Sequence, residues 1–165
     1  MRFIATLLAA SCMVGIARAE PGGVSGVSGP TMTRGETKIE FRTTAFEGEA
    51  LDDSWNYRAQ AGHSFTDWWR GALILRASQP ANGDAEASAF GIENAFAFTG
   101  TAEWPVQLGG LIEYKFGLND RDDEVELKLL AERRAGDLGL RFNLIAEREV
   151  DSGAEWVYGY AARGM

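Results

Sequence analysis

The chain has 165 residues, enough for one domain of ordinary size, and is 45% hydrophobic and 24% charged with 20 Gly, 4 Pro and 1 Cys. That composition excludes a disulfide scaffold, a collagen-like repeat and a mainly disordered chain. Its 24 acidic residues against 16 basic ones, a net charge of -8, exclude a general nucleic-acid binder, which needs clustered Lys and Arg to displace phosphate counterions. A single His and a single Cys leave little material for a zinc site or a Cys/His catalytic pair.

The first 19 residues read as an export signal. Met1-Arg2 is a short positive start, Phe3 to Ala10 and Met13 to Ile16 are apolar, and Ala17-Arg18-Ala19 matches a small-x-small cleavage pattern. The run is short for a membrane anchor, and Ala9-Ala10-Ser11 before Cys12 lacks the Leu of a lipoprotein signal. Cleavage after Ala19 removes Arg2, Arg18 and Cys12, leaving 14 basic residues against 24 acidic, a net charge of -10 and no cysteine. Residues 20–34, rich in Gly, Ser and Thr, are expected to be a flexible leader.

From residue 35 to 165 the dominant signal has a period of two, the period of a β-strand with two unlike faces. Eight segments carry it: Lys38 to Ala45, Trp55 to Phe65, Trp69 to Ser78, Ala89 to Phe98, Val106 to Phe116, Val125 to Glu132, Leu138 to Glu147, and Trp156 to Ala162. Residues 123–134 and 140–149 are rich in strong helix formers. Neither shows a clean helical stripe, and the alternation predicts strands for both. Long, polar, often acidic connections follow the first, third and fifth segments; tight ones, Thr66-Asp67 and Ala135-Gly136-Asp137, follow the second and sixth. The expected fold is all-β: an antiparallel up-and-down barrel of about eight strands, preceded by a helical signal peptide.

The face that looks inward separates two function classes. A soluble periplasmic calycin-like barrel turns its apolar face inward around an apolar ligand, whereas a membrane barrel turns it outward into lipid. Three features favour the second. Segments of about 10 residues, at about 3.3 Å each and tilted about 40°, rise roughly 25 Å, the height of a lipid-facing band. The polar faces carry charges in mid-strand. All five tryptophans fall at segment ends, Trp55 and Trp156 beside the long loops and Trp68, Trp69 and Trp104 beside the connections of the opposite, periplasmic side, where the fourth, Thr99 to Pro105, is intermediate in length. Two interfacial aromatic girdles have this distribution.

With these features the chain resembles the outer-membrane β-barrel proteins of Gram-negative bacteria, of the porin-like or small-barrel class, over roughly residues 35–163. The resemblance implies residence in the outer-membrane bilayer and insertion by the outer-membrane assembly machinery. Such barrels usually end in a strand whose last residue is aromatic. This chain ends Tyr160-Ala161-Ala162-Arg163-Gly164-Met165, which leaves two expectations open: a member cut short before further strands, or an atypical terminal signal.

The candidate site is the charged inner face. Lys38, Arg42, Arg58, Arg70 and Arg76 with Glu40 form a basic wall on the first three strands. Glu93, Glu113, Glu126, Glu132 and Glu147, with Lys115, Lys128, Arg141 and Asn143, form a more acidic wall on strands four to seven. Two roles follow from this pattern. One is a transverse field across an open lumen that selects small polar solutes; the other is a filled interior in which opposite charges pair. The acidic stretch from Asn119 to Glu124 lacks the Gly of a calcium loop and reads as a solvated loop, as do Glu47, Glu49, Asp52 and Asp53. His63 and Ser64 are adjacent on one strand and so point to opposite faces, which prevents joint catalysis. No catalytic residue, cofactor, metal or nucleic-acid partner is expected; a structural barrel or a passive pore for small solutes is.

Overall fold

The computed structural model describes residues 26–46, 53–99, 104–150 and 153–165. It contains eight strands: β1 (Thr37–Ala45), β2 (Trp55–Ser64), β3 (Trp69–Gln79), β4 (Glu86–Ala97), β5 (Gln107–Gly117), β6 (Glu124–Ala135), β7 (Leu138–Glu149) and β8 (Val157–Gly164). They form a single sheet in sequence order, every neighbouring pair antiparallel. The expected helical signal peptide, residues 1–19, lies outside the described residues.

The alternation of the sequence becomes the two faces of this sheet. Ile39, Phe41, Leu73, Leu75, Leu129, Leu144 and Tyr158 stand exposed on the convex face, Ile39 at 82% and Phe41 at 67%. Their neighbours in sequence turn to the concave face and are buried there, including Arg58, Glu93, Glu113, Lys115, Glu126, Lys128, Glu132 and Glu147. Helix propensity loses in β6 and β7 because both are interior strands. β6 is paired along its length to β5 and β7, and Glu126, Lys128, Glu132, Arg141 and Glu147 all reach ion-pair partners on the concave side. A helix would scatter those charges around its circumference.

β4 begins at Glu86, earlier than its alternation indicates. The register slips between Arg76 and Ala77, so that Arg76 faces Ala89 and Ala77 faces Ala87. One residue, Ser88, is extra; a bulge of this kind masks the period of two where it occurs. The tight turn between β6 and β7 holds only Gly136 and Asp137, because Ala135 already pairs with Leu138. Gly136 takes φ +60° there, a conformation that a Cβ disfavours.

Among the described residues the sheet curls into a half-barrel: β1 and β8 make no contact, and contacts run only between consecutive strands. Residues 26–34, the described part of the Gly-, Ser- and Thr-rich leader, lie along the concave face as a strap. Met32 is 2% exposed and clusters with Ala95 of β4, Leu111 of β5 and Leu130 of β6. Pro30 is buried against β5, where a Cβ on Gly109 would come 2.7 Å from the Pro30 Cβ, so the strap reaches the sheet only because residue 109 has no side chain. Ser28 meets Asn143 of β7, and Gly26 lies beside Arg42 of β1. The strap joins the sheet through Gly35 N–H to the Ser64 carbonyl (2.8 Å) and Ser64 N–H to the Glu36 carbonyl (2.9 Å). The interior of an eight-stranded barrel is just wide enough for side chains. This concavity holds a length of main chain as well as side chains.

Candidate functional site

The site is built from inward-facing residues of seven strands. At its centre Arg76 of β3 forks onto Glu113 of β5, Nη2 to Oε2 at 3.0 Å, while its Nη1 donates to Oε1. Glu113 is 1% exposed. Two guanidinium groups, those of Arg58 on β2 and Arg70 on β3, approach Glu93 on β4 at 3.6 and 3.8 Å. Gln60 bridges this group: its Oε1 accepts from Arg58 (2.6 Å) and its Nε2 donates to Glu93 (3.0 Å). The basic and acidic walls therefore meet where β3 and β4 adjoin, and these cations are spent on the facing carboxylates.

The remaining charges pair within or between neighbouring strands. Lys115 donates to Glu124 (2.8 Å) and to Glu147. Lys128 pairs with Glu126 (2.8 Å). Arg141 and Arg134 share Glu132 at 2.7 and 2.8 Å. On β1, Lys38 and Arg42 flank Glu40, with Lys38 at 2.6 Å. A buried ion needs a partner of opposite sign and further hydrogen bonds to offset its desolvation, and this geometry supplies partners along the face. Asn143 stands apart from the ion pairs. It is 0% exposed, its Oδ1 accepts from Ser28 N–H (2.8 Å) and its Nδ2 donates to the Ser28 carbonyl (2.9 Å). It is the latch of the strap.

The structure thus brings together most of the charged residues singled out from sequence, in several clusters. Lys38, Glu40 and Arg42 remain a separate triad on edge strand β1. Sequence reasoning missed Ser28, Pro30 and Met32, and also Gln60, Glu124 and Arg134. A signal for the strap was present: Leu111 and Leu130 occupy the inward phase of the otherwise largely polar faces of β5 and β6. Apolar residues facing an aqueous or charged interior need cover, and Met32 is that cover.

The five tryptophans sit at the two rims. Trp55 begins β2 and Trp156 directly precedes β8, both at the long-loop rim; Trp68, Trp69 and Trp104 lie at the turn rim. At the turn rim Phe65 stacks on Trp69 with centroids 4.7 Å apart, and Trp69 Nε1 donates to Asn94 Oδ1 (3.0 Å). His63 belongs to the same rim on the convex side, its Nδ1 2.9 Å from Thr37 Oγ1 and its ring edge-on to Phe65. Ser64 is buried on the opposite face. In the acidic loop Asp123 is occupied by structural bonds, accepting from Gly117 N–H (2.9 Å) and Tyr114 O–H (2.8 Å). Glu47, Glu49 and Asp52 lie outside the described residues. On the convex face an apolar groove of about 500 Å³ is lined by Phe96, Ile112, Leu127, Leu129, Leu144 and Tyr158.

No family model, no curated protein and no solved structure matches this chain. Its function rests on its own geometry.

Proposed function

We propose that this chain forms the wall and plug of an outer-membrane β-barrel, a structural protein whose lumen admits small polar solutes only where the strap leaves the concave face. The observation that carries this reading is the inversion of burial: large apolar side chains cover the exposed convex face while ionised ones fill the concave one. In water that arrangement is costly on both sides, since apolar surface stays wet and charges lose hydration. In a bilayer the convex face gains its solvent, and strands satisfy the main chain without any long apolar run. This is also why a chain with mean hydropathy of -0.18 is compatible with spanning. The rim tryptophans fit the two interfaces, where one end of the indole is wet and the other dry.

A soluble barrel that holds an apolar ligand needs the reverse arrangement, with its apolar residues on the concave face. Here that face carries Arg58, Glu93, Glu113 and Lys115. Cell fractionation tests the reading. The protein is expected in the detergent-extracted outer-membrane fraction, with different mobility on SDS gels before and after boiling. Recovery in the periplasmic fraction without detergent overturns it. In planar bilayers the intact protein is expected to be nearly silent, because ion pairs and strap occupy the lumen.

A further inference from the structure

We infer that the concave face is a recognition groove for an extended peptide of the pattern Gly-Pro-x-Met, and that residues 26–34 occupy it as a built-in ligand. The inference goes beyond the barrel reading. It stands on the groove alone, whichever solvent meets the convex face.

The strap lies on the sheet without being a strand of it. Among the described residues, none from 26 to 34 shares a main-chain hydrogen bond with the main chain of a strand; that pairing begins with Gly35 and Ser64. Gly35 has φ +84° and open space where a Cβ would stand, so the chain turns there from β1 back into the concavity. From residue 26 to that turn the strap is held against the sheet by side chains. A bound ligand is held in the same way, by a few polar anchors that fix its orientation and apolar pockets that take the rest.

The groove fits one sequence pattern. The Asn143 carboxamide meets both main-chain groups of Ser28, accepting from its N–H (2.8 Å) and donating to its carbonyl (2.9 Å). It reads the peptide backbone there and leaves the side chain free to vary. Gly29 sits over the ion pair of Glu132 and Arg141. A Cβ at that position would come 2.5 Å from Glu132 Oε2 and 2.6 Å from Arg141 Nε, so a larger residue has to push one of the two aside. Pro30 is buried in the space left by Gly109, and proline has no N–H to strand there. Met32 fills a pocket formed by Ala95, Leu111 and Leu130. Thr31 and Thr33 are exposed between and beyond these two anchors, the alternation of an extended chain. The groove therefore selects Gly at 29, Pro at 30 and Met at 32, and is indifferent at 31. The ligand it takes from outside is an extended peptide segment with those residues, which enters when the strap swings out about Gly35.

The test uses the full chain carrying Met32→Asp, which sets a charge in the apolar pocket and frees the groove, with a fluorescent peptide of the sequence of residues 26–34 as probe. Fluorescence anisotropy is expected to show saturable binding to the folded variant. Binding to the parent chain should be at least about tenfold weaker, because the tethered strap competes at an effective concentration on the order of millimolar. A peptide with Asp in place of Met32 is expected to bind neither chain. A peptide with Lys in place of Thr31 should bind within about twofold of the original. Adding Asn143→Ala to the variant should weaken binding about tenfold. No saturable binding to the folded variant, or equal binding of the Asp peptide, overturns the inference. A second measurement needs no variant of the chain. The same peptide with a photoreactive methionine analogue at position 32, offered to the parent chain at about millimolar concentration to match the strap, is expected to crosslink around Leu111 and Leu130. Unlabelled peptide should suppress those crosslinks. Crosslinks only elsewhere, or none, overturn the inference, and this measurement decides where Met32→Asp does not fold.

Discussion

Glu113 and Lys38 mark the two ends of a scale that runs along the concave face. Glu113 is buried under the fork of Arg76, and removing one partner strands the other as an uncompensated ion. Glu113→Ala is therefore expected to destabilise the fold by about 3–5 kcal/mol, read as a lower urea midpoint for the gel band of the folded form. Lys38 pairs with Glu40 from a side chain 56% exposed, where water screens the interaction. Lys38→Ala should cost about 0–1 kcal/mol in the same assay. A similar effect for both would mean that the concave face is solvated throughout. Asn143 differs again, because its two hydrogen bonds go to main chain and carry no charge. The sequence marked it only as an inward polar residue on β7; that its partner is Ser28, 115 residues away, is decided by the fold.

At the scale of elements, the strap and the tightest turn have separate consequences. Met32 buries its side chain against Ala95, Leu111 and Leu130, a contribution of about 1.5–3 kcal/mol, with the Asn143 latch beside it. Deleting residues 26–33 is expected to leave the sheet folded and to convert a silent planar bilayer into one with stepwise conductance, since the strap fills space that the strands do not need for pairing. Continued silence would assign closure to the ion pairs alone. In the turn from β6 to β7, Gly136→Val forces a β-branched residue into a positive φ and should destabilise by about 1–3 kcal/mol, seen in the same urea titration. The strands themselves were legible in the sequence, β6 and β7 included, because alternation outweighs helix propensity when both edges of a segment are paired. The early start of β4 was not, because the bulge near Ser88 breaks the period.

The whole molecule is defined by which solvent meets its convex face. Leu129 lies in the middle of β6 and is 61% exposed. In water, Leu129→Arg would change stability by no more than about 0.5 kcal/mol; near a bilayer midplane it should cost about 2–4 kcal/mol. Folding of this variant into lipid vesicles, compared with the parent chain by urea titration, distinguishes the two environments. A negligible difference in lipid would count against a membrane-facing convex surface. The opposite face is filled by main chain and ion pairs together, within a described sheet that curls into a half-barrel.

The period of two, the tight turns and the placement of tryptophan at segment ends determined eight antiparallel strands and the identity of their two faces, because side-chain direction in a strand is fixed by local geometry. Partner choice among the inward charges, the lodging of residues 26–34 against Leu111, Leu130 and Asn143, and the curl of the described sheet into a half-barrel were decided only by the tertiary structure. Those features depend on which groups a curved sheet brings within a few ångströms of each other and on how much volume its concavity must hold, and neither quantity is local to any stretch of chain.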